Sequence, residues 1–313
     1  MVADTIGKYR LEAPLGEGGQ GLVYRAVAED TNQTVALKRV PAEKFPDEAS
    51  RQSFLRDARA AVGVSHPHLR QLYEVSEAEG QLYLAMEYLE GVTLKSVLVS
   101  GWVGPEAALA WAAEIADALA AAHAGGVVHG DLRPAKVFIT TEGVVKLLDV
   151  GLWRLASQAR YQPGVKDPPL QSEEAAAMSP EQVEGHEPDA RSDVFALGSL
   201  LYRMVAGQHP FVGRNVLHTL TLVRQREPEP LGEQAPAGLD ELLAAALEKD
   251  PQRRLASAAE VAAGLRALAA GEALPVRGKR AVLIHFTWPL WLAIGVLFLL
   301  LVVWFLFLAV TGP

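Results

Sequence analysis

Short strand-like segments fill the first part of the chain, and long alanine- and leucine-rich segments fill most of the rest. The strand-like segments surround one amphipathic segment with helical period at 48–64, and they lie at 9–15, 23–28, 34–40, 72–75 and 82–86. From Leu94 onward the period is mainly helical, over 105–124, 191–207, 238–248 and 257–270. The pattern predicts an α+β chain with a small sheet-rich lobe at 9–86, a hinge at 87–91 and a larger helical lobe at 92–268. Residues 1–8 are predicted to be an N-terminal tail.

The end of the chain is apolar on every side. Residues 288–310 carry no charge, and 23 residues at about 1.5 Å each span roughly 34 Å, enough for the hydrocarbon core of a bilayer. We predict a transmembrane helix at 288–310 and a basic juxtamembrane linker at 269–284; the alternative is a buried core helix. The cations that precede this segment place residues 1–284 in the cytoplasm and the C-terminus outside, by the positive-inside rule. The sequence thus predicts a single-pass protein of the cytoplasmic (inner) membrane.

Composition excludes several classes of function. The chain has 313 residues, half of them hydrophobic, which is enough to bury a full core. A net charge of −8 leaves no basic surface of the kind that binds nucleic acid, so no nucleic-acid partner is expected. The absence of cysteine excludes disulfides, thiolate metal sites and cysteine nucleophiles.

Two segments in the small lobe have the residues of a phosphate-binding site. Gly16, Gly18 and Gly21 have G-x-G-x-x-G spacing between strand-like residues, and glycines let backbone amides approach phosphates closely. Their position between two strands argues against a dinucleotide-binding fingerprint, which opens a helix. Lys38 ends an apolar strand, where a buried ammonium needs an anionic partner. The ordinary alternatives are a glycine-rich hairpin and an exposed lysine at a strand end.

Further motifs follow in an order that carries a specific resemblance. The segment 129–136 contains Asp131, and a turn at 149–151 begins with Asp149. With the two segments above, they match the glycine-rich loop, strand lysine, catalytic loop and metal-binding turn of protein kinases. Segments 178–182, 191–198 and 250–254 resemble the end of the kinase activation segment, the helix after it and a late arginine motif. Over residues 9–268 the chain resembles bacterial eukaryotic-like serine/threonine protein kinases, which have a bilobal fold.

The resemblance implies a role for each motif residue. Lys38 would bind the α- and β-phosphates of ATP, Asp149 would hold Mg²⁺, and Asp131 would accept the proton of the substrate hydroxyl. Arg133 stands where kinases carry a lysine that steadies the transferring phosphate. The other ATP-binding residues that the resemblance implies are Leu15, Gly16, Gly18, Gly21, Val23, Ala36, Met86, Glu87, Leu89, Lys136 and Phe138, the last of which is equally a core aromatic. Structural roles fall to Asp57, Glu181, Asp193 and Arg254.

Several positions depart from the kinase pattern. Lys136 replaces the asparagine that binds a second metal ion, so one Mg²⁺ is expected instead of two. Asp57 stands where a helix glutamate pairs with Lys38, and its alternative is an exposed helix-face aspartate. Gly130 replaces an arginine of the catalytic loop. Glu174 puts a negative charge near Arg133, and we hypothesise an ion pair between the two.

These departures leave two classes of function open. An active membrane-anchored serine/threonine kinase is favoured by the intact residues Lys38, Asp131 and Asp149. A pseudokinase that binds nucleotide or serves as a scaffold at the membrane is favoured by the substitutions, and a small-molecule kinase of related fold is a third alternative. A homodimer through the small lobe or the membrane helix is a further hypothesis. The sequence does not identify the protein substrate or scaffold partner.

Overall fold

An antiparallel sheet of six strands forms the N-terminal lobe, in the order β1-β2-β3-β4-β6-β5. The structure is a computed structural model that describes residues 5–18, 21–78, 80–101, 103–155, 170–232 and 235–274. The strands are β1 (Thr5–Ile6), β2 (Tyr9–Gly18), β3 (Gly21–Ala28), β4 (Thr34–Val40), β5 (Leu72–Ala78) and β6 (Gln81–Glu87). Strand β1 lies within the segment 1–8 that was predicted to be an N-terminal tail, and it pairs with β2. Two residues are too few to show a period in the sequence.

One helix packs on this sheet, as the sequence predicted. Helix α1 (Glu48–Val62) begins after Asp47, whose side chain accepts a hydrogen bond from the backbone N–H of Ser50. Its buried residues are Phe54, Leu55, Ala58 and Ala61, which recur at the helical period. They belong to one apolar cluster with residues of β4, β5 and β6. Burial of this stripe fixes the helix on the sheet.

The C-terminal lobe is helical. Its helices are α2 (Leu94–Ser100), α3 (Pro105–Ala124), α4 (Ser172–Ala175), α5 (Pro180–Val183), α6 (Ala190–Ala206), α7 (Val216–Gln225), α8 (Leu239–Ala246) and α9 (Ala258–Ala269). Helix α6 is the centre of the lobe, because every residue from Ser192 to Val205 is buried. The four long helical segments of the sequence correspond to α3, α6, α8 and α9.

A small sheet carries the motifs that the sequence predicted to be catalytic. Strands β7 (Gly91–Thr93), β8 (Val137–Thr140) and β9 (Val145–Leu147) are antiparallel in that order. The segment 129–136 leads into β8, and Asp149 follows β9 by two residues. The backbone N–H of Leu147 donates to His68 O at 2.8 Å, and that of Arg70 donates to Leu147 O at 2.9 Å. These two bonds attach the segment 68–70 of the N-terminal lobe to β9.

The structure describes only a small part of the predicted linker and membrane helix. Among the described residues, no helix is both long and apolar enough to span a bilayer. The predicted linker at 269–284 is described only as far as Leu274, and the predicted helix at 288–310 lies outside the described residues.

Candidate active site

Asp193 of helix α6 supports the loop at 129–136 through hydrogen bonds to its backbone. Its carboxylate accepts hydrogen bonds from the backbone N–H groups of His129 and Gly130, both at 2.8 Å. The ring Nε2 of His123 lies 2.8 Å from the same carboxylate. Asp193 is buried, and a buried carboxylate is stable only with such partners. Asp193 thus joins helix α6 to residues 129–130.

His129 and Gly130 shape the loop that presents Asp131. The backbone N–H of Asp131 donates to Nδ1 of His129 at 3.2 Å, and burial lowers the pKa of His129, so the ring is neutral. Gly130 has a φ of 65°, which L-residues rarely adopt. A Cβ on Gly130 would lie 2.8 Å from side-chain atoms of both Pro188 and Trp153. The loop as folded thus has no room for the arginine that kinases carry here.

Arg133 and Glu174 form the ion pair that the sequence analysis hypothesised. Nη1 of Arg133 donates to Oε1 of Glu174 at 2.5 Å. Nε of the same arginine lies 3.3 Å from Oδ1 of Asp131. One guanidinium therefore lies between the candidate proton acceptor and the glutamate of helix α4. The substitution at 174 is compensated by a charge of opposite sign.

Three cations surround the carboxylate of Asp149. Oδ2 of Asp149 accepts hydrogen bonds from Nζ of Lys136 at 2.6 Å and from Nζ of Lys38 at 3.0 Å. Oδ1 accepts from Nη2 of Arg70 at 2.5 Å. Asp149 has a φ of 58°, an uncommon conformation for a residue other than glycine and one that is concentrated at functional sites. Both carboxylate oxygens are thus engaged by side chains of the protein.

The electrostatics of this cluster follow from its burial. Burial raises the pKa of Asp149, but the charges of Lys136, Lys38 and Arg70 outweigh it and hold that pKa well below its usual range. Burial lowers the pKa of Lys38 to about 8, although Asp149 opposes the shift. The charges of Lys136 and Arg70 act in the same direction as burial and are part of this shift. Asp149 is therefore ionised at every physiological pH.

Arg70 is the member of this cluster that sequence reasoning missed. It follows His66-Pro67-His68-Leu69, and no kinase motif draws attention to it. Its Nη2 also lies 3.1 Å from Sδ of Met86, one of the predicted ATP-binding residues. The available signal was an arginine two residues before strand β5, where the chain enters the core.

Asp57 does not pair with Lys38, so that expectation was wrong for this conformation. Oδ2 of Asp57 accepts a hydrogen bond from Nε of Arg154 at 2.7 Å. Arg154 also donates to Glu187 at 2.8 Å and lies over the ring of Trp153, 4.3 Å from its centroid. Lys38 instead contacts Asp149. Arg154 follows Asp149 by five residues and is far from Asp57 in sequence. Only the tertiary structure brings Arg154 against Asp57, where it takes the place of Lys38.

The late arginine and the activation-segment glutamate form an ion pair. Arg254 donates two hydrogen bonds to Glu181, at 2.8 and 3.0 Å, and its side chain is wholly buried. The Ser192 hydroxyl donates to the same carboxylate at 2.6 Å. Burial raises the pKa of Glu181, but the bonds from Arg254 and Ser192 lower it to about 2. This pair fixes helix α5 to the helical lobe.

Strand pairing brings predicted adenine-site residues to one face of the sheet. Ala36 lies opposite Met86, and Val23 lies opposite Lys38. Because side chains alternate along a strand, Ala36 and Lys38 of β4 share a face. Val23, Ala36 and Met86 belong to one apolar cluster. These residues make the apolar wall that a flat base requires.

The remaining predicted nucleotide-site residues lie on β2, β3, β6, β8 and the connection between β6 and β7. Gly16 pairs with Val23 and Gly18 with Gly21, next to residues 19–20, which lie outside the described part. A Cβ on Gly21 would lie 2.1 Å from Arg39 O, so only glycine fits there. The other members are exposed Leu15, half-buried Phe138 on β8, Glu87 at the end of β6 and half-buried Leu89 in the connection to β7.

The site does not fit a pair of divalent cations. Protein kinases hold Mg²⁺ with the aspartate of this turn and an asparagine of the catalytic loop. Lys136 replaces that asparagine, and an ammonium cannot ligate a cation. A single ion at Asp149 would displace Lys136 or Arg70 from its oxygens. Within the described ranges, no cluster of three or more histidine, aspartate or glutamate side chains has the arrangement of a metal site.

Comparison with known proteins identifies the family that this chain resembles. The model of the family described as "Protein kinase domain" matches residues 9–264. Serine/threonine-protein kinase pkn3 of Myxococcus xanthus is 33% identical over 279 residues, which are 85% of this chain and 51% of that protein. PknB of Mycobacterium tuberculosis is 33% identical over 273 residues, 85% of this chain and 43% of that protein. The chain thus spans about half the length of these relatives or less.

A solved structure shows the same fold. The crystal structure of the PknI kinase domain of M. tuberculosis matches with a TM-score of 0.69 and 26% sequence identity. The match covers 86% of this chain and 99% of that one.

Proposed function

Because the chain belongs to the protein kinase domain family, we propose that it transfers the γ-phosphate of ATP to serine or threonine hydroxyls of proteins. The observation that carries this proposal is that Lys38, Asp131 and Asp149 lie in one buried site. The charges of Asp131 and Asp149 both act on His129, and Lys38 contacts Asp149 directly. Phosphoryl transfer depends mainly on positioning and charge compensation, and this site supplies both.

Each of these residues has a role in the proposed reaction. Lys38 binds phosphate oxygens of ATP, and Asp131 accepts the proton of the attacking hydroxyl. Arg133 contacts Asp131 and carries a positive charge for the transferring phosphate. Protein kinases in general use ATP with Mg²⁺. At most one ion is expected here because of Lys136, and it would require Asp149 to release its present partners.

Membrane anchoring is part of the proposal. It is supported by the uncharged segment at 288–310 and by the basic residues Arg277, Lys279 and Arg280 before it. The kinase domain is then cytoplasmic, on a single-pass protein of the inner membrane. Pairing of two copies through the small lobe or this segment stays a prediction.

A pseudokinase is the second candidate, and one observation favours it. The contacts of Asp57 with Arg154 and of Lys38 with Asp149 replace the Asp57–Lys38 pair that the family resemblance implies for transfer. A chain fixed in this arrangement would bind nucleotide or a protein partner at the membrane without turnover.

Radiolabel transfer tests the proposal. The whole purified chain is incubated with γ-labelled ATP and a generic acceptor protein, and label in both proteins is followed together with thermal stability. We expect transfer that disappears in Asp131→Asn. The control is Asp117→Asn, which changes an aspartate of helix α3 that pairs with Arg266. Stabilisation by ATP without transfer would identify a nucleotide-binding pseudokinase, whereas the absence of both would refute phosphoryl transfer and leave a scaffold that binds a protein partner.

A further inference from the structure

Three cationic side chains contact one carboxylate, that of Asp149, at the centre of this site. The side chains of Lys38, Lys136 and Arg70 are 5%, 9% and 13% exposed, and that of Asp149 is 9% exposed. All three cations contact the carboxylate directly, at 2.5 to 3.0 Å. Positive charges so close in a buried place repel one another, and an anionic ligand relieves that repulsion.

The position of each cation relative to Asp149 bears on the choice of ligand. Lys136 is on Oδ2 and Arg70 is on Oδ1, so a divalent cation that approached either oxygen would meet a positive charge already there. It would add two further charges to the same cluster. A polyphosphate has the opposite effect, because its oxygens accept hydrogen bonds from ammonium and guanidinium groups.

Arg70 is held in place by backbone as well as by its side chain. Its N–H donates to Leu147 O in strand β9, two residues before Asp149. Its guanidinium also contacts Sδ of Met86 in strand β6. The cation is therefore attached to both lobes at the base of the nucleotide site, and it is preorganised before any ligand binds.

We propose that Lys136 and Arg70, together with Lys38, bind the phosphates of a nucleoside triphosphate in place of a divalent cation, so that nucleotide binding by this chain does not need Mg²⁺. The inference rests on the proposed function and deepens it, because it specifies how the same site neutralises its ligand. It concerns binding alone, and transfer is measured separately.

Calorimetric titration of the whole chain with ATP, in excess EDTA and then in saturating Mg²⁺, tests the inference. We expect the Kd in EDTA to be equal to or lower than the Kd in Mg²⁺. Arg70→Met weakens metal-free binding by about tenfold, the size of one lost charge-assisted hydrogen bond. Arg70→Lys keeps the charge and restores most of that loss. The double variant Arg70→Met/Lys136→Asn makes binding depend on Mg²⁺.

Arg39→Met is the matched control. Arg39 follows Lys38 on strand β4, so its side chain is on the other face of the sheet, where Nη2 contacts Gln81. Its loss should leave both Kd values unchanged. Binding by the parent chain only in Mg²⁺ would overturn the inference and leave the proposed kinase function intact, whereas no binding in either buffer would overturn both. Metal-free binding that is unaffected by Arg70→Met and by the double variant would also overturn the inference.

Discussion

Replacing Arg154 with glutamine is expected to raise the rate of phosphoryl transfer. Arg154 holds Asp57 at 2.7 Å and Glu187 at 2.8 Å, which keeps the acid of helix α1 away from Lys38. The family resemblance implies that an acid at this helix position pairs with the strand lysine in the active arrangement. Removal of the guanidinium releases Asp57 to make that pair, since glutamine keeps a polar side chain but carries no charge.

The size of the effect follows from the exposure of the groups. The side chains of Arg154 and Asp57 are 20% and 32% exposed, and that of Glu187 is 70% exposed. Ion pairs of this kind are worth about 0.2–1 kcal/mol, and the more exposed one contributes least. A loss of about 1 kcal/mol changes a two-state equilibrium roughly fivefold. We therefore expect a two- to fivefold gain in rate.

Initial rates of radiolabel transfer at saturating ATP measure this gain. Arg154→Lys keeps the charge and should change the rate less than Arg154→Gln. The double variant Asp57→Asn/Arg154→Gln should show no gain, because no acid is left on helix α1 to pair with Lys38. An equal gain in the double variant, or none in Arg154→Gln, would show that this ion pair does not restrain the site.

Three further predictions concern stability and pH. Gly130→Ala should lower the melting temperature by more than Gly126→Ala, because both positions have a positive φ but only Gly130 has neighbours within 4 Å of the added Cβ; the left-handed strain common to both is about 1–2 kcal/mol. Arg254→Met leaves the Glu181 carboxylate, whose side chain is 13% exposed, without its main partner, which should cost about 3 kcal/mol and lower the melting temperature by roughly 10 °C. Because the pKa of Glu181 is about 2 when folded and 4.5 ordinarily, its stabilising contribution is present above about pH 4.5 and lost as the pH falls toward 2, and Glu181→Gln should flatten that part of the acid-unfolding curve.

The sequence predicted those parts of the fold whose signals are local. Helix α3 has the predicted bounds of 105–124 because Pro105 suits the first turn of a helix and Gly125 suits its end. The strands β3 and β4 and helix α1 likewise follow from period and caps. Strand β1 was missed because its two residues form a strand only through pairing with β2.

The site divides in the same way. The loop around Asp131 was predictable because its residues are close in sequence, and the Arg133–Glu174 pair was predictable because two known motif positions had changed charge. The contact of Arg70 with Asp149 was not predictable, since 79 positions separate the two residues and the pairing of Arg70 with β9 brings them together. The contact between Asp57 and Arg154 was also not predictable from the sequence, because only the fold brings these two residues together.

Each substituted charged residue of this site contacts a residue of opposite charge. This argues against a kinase site that has accumulated substitutions without constraint. Lys136 contacts Asp149, and Glu174 contacts Arg133. A buried charge that loses its partner costs about 3–5 kcal/mol, so substitutions that accumulate without constraint would be expected to leave the fold weakened. Because Arg70 remains on the other oxygen of Asp149, Lys136→Asn alone should not restore a two-ion site. The substitutions are best understood as one rearranged set of charges, and single reversions should be interpreted together with the partner that each one leaves behind.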